Sequence, residues 1–250
     1  MSLRMEKDGH EITTVDEWFR FAPPKKGRCQ WGDGRSAKEL AKAFLERGVP
    51  AVPPELHALL SSHPGLGMVE LAVAYPEHKI ALDRFPGETR NADIAALGEG
   101  SVGKVAVTIE AKADEAFGGT IGETLAAASA RSNIPKRIAA LTEAVLGHAG
   151  PEIDHLRYQL LHGTAASLIF AREHAAAAAI FIVFEFCGPS CKKDNLERND
   201  RDLRLFIEAL SRDAPTGASG DLIGPFTSRG GEFVPSGLPL FIGKAIRTLT

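Results

Sequence analysis

Apolar and polar positions along the chain change period several times, and each change marks an element. AKELAKAFLERG, residues 37–48, places Leu40, Phe44 and Leu45 at helical spacing; Asp33 or Ser36 is positioned to cap that helix and Gly48 to stop it. A second short helix starts after the prolines of VPPELHALL and ends before Pro64-Gly65. From Met68 the runs MVELAVAY, KIALDRF, NADIAALG and KVAVTIEAK shorten and are separated by Pro, Gly or Asn. They predict a meander of three or four strands. Helices are then expected over Thr120–Ala130 and from Pro135 through LTEAVLGH, and a long one from Pro151 through EIDHLRYQLLHGTAASLIFAREHA. The last runs into AAAAIFIVFEF, whose continuous apolarity suits a central strand buried on both faces. A charged amphipathic helix through DLRLFIEALSRD and an edge strand in PLFIGKAIRTL complete the pattern. The expected fold class is α/β: a central mixed β-sheet containing an antiparallel meander, with helices on both sides. Residues 1–66 read as an N-terminal helical extension with a basic loop, 67–190 as the core, and 191–250 as a C-terminal helix and Gly/Pro-rich extension packed on it, all in one unit.

Composition narrows the function classes. The chain has 250 residues, 44% hydrophobic and 24% charged, and no run approaches the roughly 18 apolar residues of a membrane span. With no secretory-type apolar core near Met1 and only three cysteines, the expectation is a soluble cytoplasmic protein without a disulfide framework or membrane partner. A net charge of −3 excludes coating of nucleic acid by overall charge, so any such contact is local. The best local source is the loop holding Lys25, Lys26, Arg28, Trp31 and Arg35, where basic and aromatic side chains interleave; a solvated loop with a tucked-in Trp is the plainer reading.

Chemistry concentrates in KVAVTIEAKAD. Alternation puts Val105, Val107, Ile109 and Ala111 on one face of this strand, and Ala106, Thr108, Glu110 and Lys112 on the other. If the preceding connection turns at Gly100 to Gly103, Asp93 lies opposite Glu110, where like charges repel unless a cation lies between them. Magnesium takes one or two carboxylates plus water and a substrate phosphate, which suits this pair. The alternatives are weaker: Cys187 and Cys191 lack a second pair for zinc, and GEGSVGK is not a phosphate loop. Gly98, Gly100 and Gly103 precede a strand, whereas a dinucleotide fingerprint must open a helix.

Asp93, Glu110 and Lys112 across a hairpin, followed by a helix and a buried strand, resemble the PD-(D/E)XK nuclease superfamily, with its restriction-endonuclease-like core, over about Met68 to Phe186. The resemblance implies Mg2+ (or Mn2+) held by Asp93, Glu110 and the Ala111 carbonyl. Lys112 would assist the attacking water, and the chain would hydrolyse phosphodiester bonds of nucleic acid, with DNA the expected partner and a homodimer a further expectation. Many members carry a glutamine with a nearby tyrosine on the following helix, which nominates Gln159 beside Tyr158, although the usual order is reversed. The position before Asp93 is Ala92 where the family has proline. His155, Gln159 and His162 share a helical face and are placed either toward the site or toward solvent. Glu70 and Glu123 are further acids for the ligand shell, whereas Asp114 and Glu115 read as loop charges. Two alternatives keep no catalysis: an inactive nucleic-acid- or protein-binding α/β domain in which Glu110 and Lys112 form a structural ion pair, and an unrelated α/β interaction protein.

Overall fold

Strand alternation decides the layering. In a computed structural model, residues 2–85, 89–148, 150–189, 191–211 and 220–249 are described, and the two faces of the strands at the centre of the sheet serve two separate cores. The N-terminal part supplies β1 (Arg4–Lys7), β2 (His10–Glu11), α1 (Val15–Phe21), α2 (Ser36–Leu45) and α3 (Pro54–Leu60). The meander is β3 (Glu70–Ile80), β4 (Arg90–Gly100) and β5 (Gly103–Ala113). Then follow α4 (Ile121–Ala127), α5 (Ile134–Leu146), α6 (Tyr158–Glu173), β6 (Ala178–Cys187), α7 (Lys193–Leu210), β7 (Ile223–Thr227) and β8 (Pro239–Thr248).

All these strands form one mixed sheet of order β2-β1-β3-β4-β5-β6-β8-β7, so the chain is an α/β protein with helices on both faces. The β3–β4–β5 hairpins are antiparallel, whereas β5, β6 and β8 run parallel. Val105, Val107 and Ile109 pack with Ile180, Ile182 and Phe184 beneath Leu40, Phe44 and Leu56 of the N-terminal helices. On the other face Ala106, Phe181 and Val183 pack with Leu160, Leu161 and Leu168 of α6 and Phe206 of α7. Each fully buried Val, Leu, Ile or Phe among them contributes about 1.5–3 kcal/mol relative to an exposed one. α6 lies very close to the sheet: a Cβ on Gly163 would approach the Phe181 ring to 2.8 Å. Among the described residues no helix is long and apolar enough to cross a membrane.

Several expectations need correction. Most of MVELAVAY and the first two residues of KIALDRF belong to one strand, β3, that passes through Pro76 and ends at Ile80. The described β1 pairing covers only Val73 and Ala74, so a residue without an N–H is tolerated beyond them. The N-terminal segment is not purely helical, because β1 lies parallel to β3 and extends the sheet. PLFIGKAIRTL is not an edge: β8 lies between β6 and the short β7, which is the outermost strand on that side. The C-terminal part therefore joins the sheet as well as packing on it. The helix expected from Pro151 begins only at Tyr158, since residues 151–153 form a single 3-10 turn and Thr120 bridges to Arg157. Neither Asp33 nor Ser36 caps α2; Arg35 holds the cap position and Asp33 pairs with Lys38 and Lys42. The final two residues expected in DLRLFIEALSRD, Arg212 and Asp213, lie outside the described residues, as does the segment 212–219 of the Gly/Pro-rich extension.

Candidate metal centre

The β4–β5 ladder runs from Gly100↔Gly103 to Ile94↔Ile109 and stops one pair before Asp93 and Glu110. The Asp93 carboxylate then takes over, accepting the Ala111 N–H at 2.7 Å. Asp93 thus rests against the β5 backbone between Glu110 and Lys112. The same count on the other side of β4 puts Glu77 beside Asp93, because Pro76 pairs with Ile94 and His78 with Ala92. Three carboxylates therefore occupy one row across three neighbouring strands.

Glu110 and Lys112 do not sit on a half-covered face. They are 3% and 6% exposed beneath α6, so both charges need partners inside the protein. Glu110 Oε1 accepts from Lys112 Nζ at 3.0 Å and from the Gln159 amide, and its Oε2 accepts from Arg90 Nη2. Gln159 Oε1 accepts from Lys112 Nζ at 3.0 Å and from the Gly118 N–H at 3.2 Å. The Lys112 ammonium also lies 5.4 Å from the Phe117 ring centroid. Glu77 accepts from the Asn91 side-chain amide, while Lys7 Nζ donates to the Glu77 carbonyl at 2.7 Å.

Electrostatics divides the three acids. Burial alone would raise the Glu110 pKa, but Lys112 and Arg90 outweigh it and hold the group down to about 2. Burial, reinforced by Glu110 and Glu77, raises the Asp93 pKa well above the ordinary carboxylate range. Burial also pushes Glu77 up to about 7, against the Asn91 hydrogen bond and the charge of Lys7. Lys112 is raised: desolvation opposes its charge, and Glu110 and its neighbours more than restore it. Its amine is therefore a fixed cation at neutral pH.

The Glu77 shift has a measurable sign. A carboxyl whose pKa rises on folding stabilises the folded state fully below its ordinary 4.5, and this contribution is lost as pH climbs through about 7. The Glu77→Gln variant, which cannot ionise, is expected to be more stable than wild type near pH 8 by on the order of 2 kcal/mol. Below 4.5 the two should converge. Urea unfolding at both ends of this window checks it; parallel stability curves would refute the assignment.

The residues proposed from the sequence separate into two groups. Asp93, Glu110, Ala111, Lys112 and Gln159 converge. His162, half-buried one turn beyond Gln159, packs edge-on against the Tyr158 ring at 4.8 Å, and burial together with Arg90 drives its pKa well down. Tyr158 itself reaches Arg137, which pairs with Asp83. His155 is exposed and precedes α6, so it is not part of that face. Glu70 pairs with Glu99 at the far end of β3, Glu123 belongs to the capping box of α4, and Asp114 holds the Lys192 N–H and the Asn195 amide. None of these three completes the shell.

Lys25, Lys26, Arg28 and Arg35 are exposed, but their loop belongs to the α1–α2 layer, across the sheet from α6. Trp31 packs against Phe19 at 5.1 Å and Arg28 stacks on the same ring. This loop does not border the acid cluster. A groove of about 520 Å³ lined by Gly119, Glu123, Thr124, Ala128 and Ile134 begins one residue beyond Gly118 and lies on the same side as Gln159.

Arg90, Glu77 and Asn91 were not anticipated. Glu77 was accessible by the hairpin arithmetic that found Asp93, had β3 been read through Pro76 as one strand. Among the described residues no three His, Cys, Asp or Glu side chains are arranged to hold a metal. The donors that fit a divalent cation are the Asp93 and Glu110 carboxylates with the Ala111 carbonyl, an all-oxygen set of the size Mg2+ uses when substrate and water complete the shell. The fit rests on Asp93 lying against the Ala111 amide beside Glu110, where the Glu110 and Glu77 carboxylates each raise the cost of ionising Asp93 that a cation would remove.

No curated protein and no solved structure matches this chain. The model of one family, described as a domain of unknown function (DUF6946), matches residues 11–248, and the chain belongs to that family.

Proposed function

We propose that the chain is a Mg2+-dependent phosphodiesterase of the nuclease type that hydrolyses DNA, with a restriction-endonuclease-like core. The observation that carries this reading is the meeting of Gln159 from α6 with Lys112 and Glu110 from β5, beside an Asp93 carboxylate seated on the Ala111 amide. The order of helix, three-strand antiparallel meander, crossover helix and parallel strand supports it as well.

Asp93, Glu110 and the Ala111 carbonyl would hold the cation. When bound, it neutralises phosphate charge and makes water a better nucleophile. Lys112, charged at neutral pH, serves as a fixed donor that orients water or stabilises charge on the phosphate oxygens and does not act as a base. Gln159 holds the Lys112 ammonium in place through its carbonyl. Glu77, near 7, has a proton affinity matched to neutral pH, and the charge of Glu110 contributes to holding it there.

The experiment is incubation of the purified chain with supercoiled plasmid and with linear duplex, in Mg2+ or Mn2+ and in chelator. Metal-dependent nicking or cutting is expected. A folded chain inert toward both substrates in both metals sinks the reading. A second reading has its own support: both Glu110 oxygens are already taken by Arg90, Lys112 and Gln159, as in an inactive binding domain held together by a structural ion network. Thermal melting separates the two, because Mg2+ or Mn2+ stabilises a chain with a metal site and leaves a salt-bridged one unchanged.

A further inference from the structure

The geometry points to Arg90 as a displaceable counter-cation: its guanidinium holds the Glu110 oxygen that a divalent cation needs, so metal entry and Arg90 release are one event. This rests on the phosphodiesterase reading and adds a positioning residue to it.

Glu110 divides its two oxygens unequally. Oε1 is committed to Lys112 and Gln159, both of which belong to the proposed machinery, so Oε2 is the oxygen left to offer a cation. Arg90 Nη2 occupies it. The Arg90 side chain is 12% exposed and Glu110 4%, so the pair is largely shielded from water and Arg90 is the local substitute for an ion.

Arg90 is also the less firmly held of the two cations. Its Nε is buried without a hydrogen-bond partner, although a guanidinium carries five donors, whereas Lys112 has Glu110, Gln159 and the Phe117 ring around it. Its backbone sits at the first residue of β4, paired with Ile80 of β3 but beyond the last β4–β5 pair. The side chain therefore reaches Glu110 from a segment that β5 does not hold. Arginine does not lose its charge as pH rises, so near neutral pH a stronger cation is what displaces it. Once released, the planar guanidinium is free to bind phosphate oxygens of a substrate bidentately.

The test is Mn2+ affinity by calorimetry for the wild type and Arg90→Met. With the competitor removed, the variant is expected to bind about tenfold or more tightly. Equal or weaker binding by a folded Arg90→Met overturns the inference and leaves the phosphodiesterase reading intact. Absence of binding by both chains overturns the metal reading beneath it. If Arg90→Met does not fold, the wild type decides: the Arg90 Nε–H resonance should move as Mg2+ saturates the chain, and a resonance that stays fixed while metal binds overturns the inference. Arg90→Lys, which keeps a charge but loses the fork, should fall between the two affinities.

Discussion

Lys112→Met is expected to abolish metal-dependent cleavage of DNA, by at least about 10³-fold in rate, without unfolding the chain. The argument separates charge from packing. Methionine replaces most of the aliphatic stem, so little volume is lost, while the ammonium over the Phe117 ring goes with the charge. Glu110 retains Arg90 and the Gln159 amide, so no buried anion is orphaned. What disappears is the one ammonium that α6 and β5 hold jointly against Glu110. Cleavage should fall to background while the far- and near-ultraviolet circular dichroism stays that of wild type. Cleavage retained within a few-fold would mean that Lys112 is structural and that the mechanism proposed for it is wrong.

Glu110→Ala should have the opposite character, a stability effect first. Removing the carboxylate leaves Arg90 and Lys112 facing one another with no anion between them, 12% and 7% exposed in their side chains. Deleting one partner of a buried ionic network costs about 3–5 kcal/mol, most of it from the charges left behind. That is a large share of a typical domain's stability, so the variant should unfold at much lower urea or not accumulate at all. Combining it with Lys112→Met should recover part of the loss, because one orphaned cation is removed with the anion. A single-variant loss under about 1 kcal/mol would show that water reaches the pair freely, as at an exposed salt bridge.

The sequence made some of this arrangement legible and hid the rest for identifiable reasons. Glu110 and Lys112 were found by alternation because β5 is an uninterrupted strand with one face built of Val and Ile. Asp93 followed because glycines fixed the turn, and Gly100 does pair with Gly103. Gln159 was nominated by the family resemblance, while helical spacing grouped it with His155 and His162 and left open which way that face points; most of α6 is buried. Arg90 was invisible because its role depends on a side chain swinging past the end of a ladder, which no periodicity encodes. Glu77 was hidden by Pro76, read as a break though β3 runs through it with Glu77 at a positive φ of 49°. The start of α6 was misjudged because the apolar pattern extends back to Pro151, whereas the backbone there bonds to the α4 segment, with Ile121 N donating to Leu156 O at 2.8 Å. Such long-range pairing competes with local pattern and leaves no local signature. The burial of the cluster was missed for the same reason: what covers Glu110 is a helix that arrives 47 residues after Lys112 reaches its place.

That separation along the chain carries a consequence for how the site comes into being. Glu77, Asp93, Glu110 and Lys112 lie on successive hairpin strands and meet through short loop closures, whereas Gln159 waits for the long crossover that brings α6 onto the sheet. Until then the charges are hydrated and cost nothing to leave in water. Docking of α6 is the step that strips that water away, so the helix must land on side chains that have already found their opposite charges. The close seat of Gly163 on Phe181 makes this landing nearly all or none. Assembly of the charged cluster and completion of the fold are then expected to be a single cooperative transition.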